Sequence, residues 1–318
     1  MEAPGRLWSA LMLIFGQMAI FFFLMLLGLV ARLCGFITAS NRKQLVSIVV
    51  FIATPAMILS CDIRTFIQHD YSYIAWGAFV MVLVQLAQAA TGLIFPPLLR
   101  VPKGGRRAVW NLLFLCTNTA LLGIPMAASL FGDEAMVYMS LFAVINTLLL
   151  YSYGIAILGG SGGQSSLKAV LKNPNLACCL ILIVLILLKK PLPEWARHGL
   201  SAAGQAAPPL AMMALGATLG DVKFREVIRD VRLLAFLILK MLVIPIALMY
   251  LMRPLFSQSA LEGVSLIVLA APCGVMVSML AVLYRPECAA EASEVISATT
   301  AVAVFTIPLV ALACGITV

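Results

Sequence analysis

Asn118-Thr-Ala-Leu-Leu-Gly-Ile-Pro125 sets an amide, a hydroxyl, a glycine and a proline inside an apolar segment long enough to cross a membrane. A proline removes one backbone donor and interrupts the helix behind it. Gly123 lowers the cost of a local break. In hydrocarbon, freed backbone groups are tolerated only where protein or a water-filled cavity satisfies them. A half-helix that restarts after such a break presents the positive end of its dipole. With the neutral donors Asn118 and Thr119 beside it, that end suits a carboxylate. The competing reading is a kinked helix whose Asn118 bonds a neighbour as packing glue. The residues alone leave both open.

Other polar residues in apolar surroundings extend the constellation. Ala270-Ala-Pro-Cys-Gly-Val275, followed by Ser278, repeats the proline–glycine element without a strong polar side chain. If it breaks at Pro272, with Gly274 beside it, it contributes mostly backbone. Asn146 lies mid-span and either bonds another helix or lines a cavity. Gln85 and Gln88 share one helix face at i and i+3, a spacing that helix–helix hydrogen bonds explain best. Lys240 is the one charged residue well inside a span, about 12 Å of helical rise beyond Arg232. Either it snorkels to the interface or it faces the interior. In the interior it would attract an anion or neutralise the carbonyl ends of a broken helix pair.

The absences limit the chemistry. No Asp or Glu lies deep in an expected span; Asp133, Glu134, Asp221, Glu291 and Glu294 all fall at span ends. Proton and sodium coupling usually use such a carboxylate, so no proton carrier is assigned. The pattern fits uniport or coupling through less obvious groups. There is no phosphate-binding Gly-x-x-x-x-Gly-Lys-Ser/Thr loop, no His-Glu-x-x-His and no Gly-x-Ser-x-Gly. No enzyme and no cofactor are expected. His69 and His198 have no partner at metal-ligand spacing, and the eight cysteines are scattered without a Cys-x-x-Cys pair. They read as small buried hydrophobes.

The elements that must carry these residues follow from composition. Of 318 residues, 63% are hydrophobic and 11% charged, with mean hydropathy +1.08. Soluble domains carry about 45–50% apolar and about 25% charged residues, so the chain is an all-α polytopic membrane protein. Its net charge of +8 sits in short loops between apolar runs, which membrane topology explains and nucleic-acid binding does not. Ten apolar stretches approach the roughly 20 residues a span needs: 10–32, 44–61, 72–99, 108–131, 135–158, 174–190, 199–220, 232–252, 261–284 and 293–315. The first is longer than a signal sequence and lacks a clean processing site, so it reads as a retained span. Of the 21 Lys and Arg, 14 lie in one set of alternate loops and 6 in the other, with Lys240 inside a span. The positive-inside rule then puts both termini outside the cytoplasm. The basic loop from Arg100 to Arg107 is read as a topology signal, with a lipid-headgroup site as the alternative.

Gly159-Gly-Ser-Gly-Gly-Gln-Ser-Ser166 has flexible-linker composition and divides the spans five and five. An odd number per half inverts the second half against the first, the arrangement of inverted-repeat transporters. The expected units are residues 1–160 and 161–318. Pro55-Ala-Met-Ile-Leu is echoed by Pro209-Leu-Ala-Met-Met, and Pro125 by Pro272, at separations of 70 and 63 residues.

The Asn118–Pro125 run, followed by Leu130-Phe-Gly-Asp133, resembles the Asn-Thr-x-x-x-Gly-Ile-Pro signature of the auxin efflux carrier family. Weaker matches are Gly28 to Arg32, Pro55, and Pro209 to Gly220. The resemblance implies ten helices in two inverted five-helix repeats, of the kind found in sodium–proton antiporters and bile-acid transporters. The fourth and ninth helices would break and cross at Pro125 and Pro272, with Gly123 and Gly274 easing the crossover, and an elevator motion would carry the substrate across the plasma (cell inner) membrane. It further implies an organic anion as substrate, a mono- or dicarboxylate. Asn118 matches the family's carboxylate-binding Asn and Asn146 its polar fifth-helix position; the candidate binding set is Asn118, Thr119, Asn146 and Ser278. The long cytoplasmic loop of the plant carriers and the acidic residue some have in the third helix are missing. These departures favour a prokaryotic organic-anion carrier over an auxin carrier. A homodimer is suggested only by the resemblance. The competing readings are a membrane sensor or scaffold that binds without transport, and a carrier of another solute class.

Overall fold

A computed structural model describes residues 3–64, 71–159, 174–219, 230–256 and 259–316. Of the expected linker only Gly159 lies within them. Lys168, Lys172, Lys223, Arg225 and Arg229 of the basic loops, Asp221 and His69 lie outside.

The described residues are helical throughout, joined by short turns. In chain order the helices are α1 (Ala3–Leu33), α2 (Ala39–Ile48), α3 (Thr54–Leu59), α4 (Tyr71–Leu98), α5 (Gly105–Leu115), α6 (Ile124–Leu149), α7 (Ile155–Ile157), α8 (Pro174–Leu187), α9 (Glu194–Gly204), α10 (Ala207–Leu219), α11 (Val231–Ile238), α12 (Ile244–Met252), α13 (Ser259–Ala270), α14 (Met276–Tyr284) and α15 (Ala289–Cys314). Several are segments of longer rods. Four continuous helical runs, Ser40–Leu59, Tyr71–Leu98, Thr119–Ile157 and Val231–Leu255, are long and apolar enough to cross a membrane. A fifth is reached if the two arms of the last helix, bent by 57°, form one span. The expected span 199–220 is two helices, α9 and α10, separated by a turn at Gln205 and Ala206.

Three of the long runs share one local device. Wide π turns at Val49–Ala53, Thr119–Gly123 and Leu239–Val243 each precede a proline by two residues: Pro55, Pro125 and Pro245. Proline has no N–H to give, and the interrupted ladder widens by one residue. The carbonyl five residues back from each proline then needs another donor. For Pro55 that carbonyl is Val50, which accepts Asn175 Nδ2 at 2.9 Å. For Pro125 it is Ala120, which Thr54 Oγ1 approaches at 3.5 Å. Distant side chains thus complete what the prolines remove.

Small residues set the closest helix approaches. A Cβ on Gly28 would lie 2.1 Å from the Met213 carbonyl oxygen, and one on Gly216 would lie 1.9 Å from that of Met25. Helices α1 and α10 therefore cross backbone on backbone, the small-residue packing that membrane helices favour. Gly16, on the same α1, would meet nothing within 4 Å. Gly28→Val is predicted to destabilise the fold by roughly 1–3 kcal/mol or more, read as loss of monodisperse protein in detergent. Gly16→Val should elute like wild type; equal behaviour of the two would refute the crossing.

A second apolar core surrounds Leu113, Phe114, Cys116, Phe236 and Cys273. Phe236 packs edge-on against Phe114 and Trp110, with centroids 4.5 and 5.4 Å apart. Nearby, Arg106 grips Glu291 through Nε and Nη2 at 2.8–3.0 Å, and Trp110 Nε1 donates to the same carboxylate at 2.9 Å. This charge-assisted fork ties the start of α5 to the first turn of α15. It fixes the segment that leads into the break described next.

Candidate functional site: a paired break in two helices

Helix α5 stops at Leu115, and Cys116 to Asn118 run extended until the π turn begins at Thr119. The break therefore precedes Pro125 by seven residues or more. Pro125 follows the π turn inside the continuous run Thr119–Ile157, where its missing donor widens the ladder without breaking the helix. On the other side, α13 ends at Ala270, the chain runs on through Pro272 and Cys273, and α14 starts at Met276. Here the proline does sit in the break.

The two breaks meet. Thr117 and Cys273 form an antiparallel bridge. Asn118 N donates to Pro272 O at 2.9 Å, and Gly274 N donates to Cys116 O at 3.0 Å. The exchange is reciprocal, so the two strands are locally related by a twofold axis. A Cβ at Gly274 would lie 3.0 Å from the Thr117 carbonyl oxygen, tighter than a side chain normally tolerates. Glycine is what allows the approach.

Several backbone groups at the break find partners from elsewhere in the fold, as burial requires. Cys273 N donates to Thr299 Oγ1 at 3.2 Å. The last carbonyls of α5 are the negative end of that helix. Leu112 O accepts Cys116 N, Leu113 O accepts the Cys273 thiol at 3.1 Å, and Phe114 O accepts Lys240 Nζ at 2.6 Å. Lys240 is only 2% exposed. It does not snorkel; its charge lies against the carbonyl end of the broken helix, the interior, structural alternative.

The opposite half-helix starts at Asn118. Its Oδ1 accepts Leu121 N at 3.2 Å and caps the turn, and its carbonyl accepts Gly123 N at 3.0 Å. The side chain is buried, and Nδ2 has no partner. Thr117 Oγ1, beside it, is likewise buried and unpartnered. Burying a polar group without a hydrogen bond is costly, so these atoms mark where a ligand's acceptors would be welcome. Helix α14 begins without a side-chain cap at Val275. The positive ends of two half-helices and one amide donor thus lie at one crossing.

The remaining candidates lie as follows. Thr119 is half-buried at the start of the π turn. A Cβ at Gly123 would meet the Met139 methyl at 2.6 Å. Asn146 is 5% exposed on α6 with its Oδ1 unpartnered. Ser278 is in the first turn of α14, and its hydroxyl donates to Val275 O at 2.9 Å. Gln88 Nε2 donates to Val268 O at 3.1 Å on α13, while both amide atoms of Gln85 are buried and unpartnered. Thr117, Thr299, Thr54 and Asn175 were not legible as site residues, because a threonine in an apolar run carries no signal of its own. The cysteines are free; Cys34 is exposed and Cys178 half-buried, the other six buried. Beside the crossing, a small cavity of about 20 Å³ is lined by Phe21, Met25, Leu122, Met126 and Thr300 among others.

Residues 13–311, nearly the whole chain, match the family described as membrane transport protein. The chain belongs to the auxin efflux carrier family. Two archaeal relatives agree in kind. An uncharacterized transporter of Methanocaldococcus jannaschii is 29% identical over 210 residues, covering 62% of this chain and 66% of that protein. One of Methanothermobacter thermautotrophicus is 26% identical over 216 residues, covering 67% and 70%. The match thus spans about two-thirds of these relatives' length. In this chain the paired break falls where the run Asn118–Pro125 begins, and Asn118 caps the half-helix that follows.

Proposed function

We propose that this chain is a secondary transporter that moves a small organic anion, a mono- or dicarboxylate, across the plasma membrane by elevator-type alternating access. One observation carries the reading: the unpartnered Asn118 Nδ2 at the positive start of a half-helix, within a reciprocal crossing of two broken helices. A carboxylate is the ligand that such neutral donors and helix ends stabilise best. Asn118 Nδ2 and Thr117 Oγ1 are both buried, so a carboxylate reaches them only after the packed helices move. That need supports alternating access.

The local twofold exchange at Thr117 and Cys273 supports ten helices arranged as two inverted five-helix repeats, residues 1–160 and 161–318. The charge asymmetry of the loops supports termini outside the cytoplasm. Lys240 is bonded to Phe114 O behind the crossing, and no acidic residue is expected deep in a span to carry a coupling ion; this favours a uniporter responding to the membrane potential.

The test is a flux screen of mono- and dicarboxylates in proteoliposomes, with and without an imposed potential. At least one carboxylate is expected to cross, with a rate that changes when the potential is reversed. Tight binding with no flux for any of them would turn the reading to a sensor. Flux of cations alone would reject the anion site.

A further inference from the structure

Away from the crossing, a cavity of about 300 Å³ opens between α4, the start of α5 and the end of the run containing α7. That is at the lower end of small-ligand sites, about 300–1,000 Å³. It is lined by Lys103, Arg107, Leu93, Ile157, Tyr153 and Asn111 among others.

The charges around it are unequally committed. Arg106 is held by Glu291, and Arg285 faces Glu287 at 4.0 Å. Arg107 folds back so that Nε and Nη2 donate to Val101 O at 3.1 and 2.7 Å. This fixes the 101–107 turn while leaving the guanidinium charge uncompensated. Lys103 is exposed and has no acidic partner among the described residues. Gly104, the residue before α5, has φ +99 and no side chain to cap the helix, so the first amides of α5 add partial positive charge.

Asn111 supplies the independent sign of a ligand. It is 6% exposed, and its Oδ1 is buried without a partner. That oxygen packs toward Gly92, and a hydroxyl of the bound group meets it once the Asn111 side chain turns toward the cavity. Alongside the cavity, α4 turns Leu93, Ile94 and Leu98 outward, 60%, 60% and 67% exposed. This is the face a bilayer's acyl chains would cover.

We propose that this cavity holds the headgroup of one anionic phospholipid bearing free hydroxyls, a phosphatidylglycerol-type lipid. Its phosphodiester lies between Lys103, Arg107 and the start of α5, a headgroup hydroxyl donates to Asn111 Oδ1, and an acyl chain follows Leu93 down α4. A soluble phosphate would satisfy the cations but leave the apolar wall and the outward face of α4 uncovered.

Native mass spectrometry of the full chain in non-ionic detergent tests this with phosphatidylglycerol and phosphatidylcholine of matched chains. Wild type is expected to retain one phosphatidylglycerol in preference to phosphatidylcholine. Lys103→Gln, a change at an exposed residue, should weaken phosphatidylglycerol about fivefold, the effect of one basic residue near an anionic headgroup. Arg232→Gln, in a different basic segment, should leave it unchanged. Equal retention of the two lipids, an unchanged Lys103→Gln variant, or equal weakening by Arg232→Gln would each overturn the proposal. So would displacement of the lipid by excess inorganic phosphate, which would mark a site for free phosphate.

Discussion

Asn118→Ala is expected to abolish carboxylate flux in proteoliposomes while the protein still reaches the membrane. Asn118 does two jobs with one amide: Oδ1 caps the half-helix through Leu121 N, and Nδ2 is left without a partner. Alanine removes both, and loss of the cap alone costs about 0.5–2 kcal/mol of stability. Asn118→Asp separates them. It keeps an oxygen to cap Leu121 N, and its charge is favoured at a helix N-terminus. It also replaces the donor with an acceptor that repels an anion. A hydrogen bond to a charged ligand contributes about 1.5–3 kcal/mol, which is about a ten- to hundredfold effect on flux at limiting substrate. The Asn118→Asp variant should therefore keep the cap, still fold in detergent and lose transport. If that variant moves carboxylate normally, Nδ2 is not the substrate's donor, and the site would have to be sought elsewhere.

Lys240→Met should lower the thermal stability of the protein by about 2–3 kcal/mol, with transport falling in proportion to the folded fraction. Methionine fills similar volume but leaves Phe114 O without its donor at 2.6 Å. An orphaned buried acceptor costs about 1–3 kcal/mol, and the negative end of α5 also loses its compensating charge. The discriminating quantity is the substrate concentration at half-maximal flux. If Lys240 serves the crossing, that value stays near wild type in the molecules that fold. A large rise with little change in melting temperature would instead make Lys240 a direct partner of the anion.

Much of the architecture was legible because hydrocarbon is an unforgiving solvent. Apolar runs of span length had to be helices, and the amide, glycine and proline at 118–125 stood out against them. Lys240 stood out by charge alone. What local sequence did not carry was the exact place of the break. Proline drew attention to position 125, yet Pro125 lies inside the continuous run Thr119–Ile157 and the extended residues are Cys116 to Asn118. Those residues are extended because their backbone groups pair with Pro272 and Gly274, more than 150 positions away. No periodicity or propensity near residue 117 encodes that pairing. The same holds for the seventh apolar stretch. It reads as one span by hydropathy but is two helices, with Gly204 at the end of α9, where a Cβ would lie 2.6 Å from Met57 Cα.

The sequence by itself determined the class of the molecule, its family, and which polar residues sit in apolar surroundings. Those are one-dimensional properties, set by transfer free energies and by proline's missing donor. Only the tertiary structure decided what the polar residues do. Lys240 became a cap for Phe114, 126 residues away, Ser278 closed its own turn, and Asn118 was left with one amide hydrogen donor unmatched. A hydrogen bond is a statement about two groups in space, and in this fold the partner comes from a distant helix.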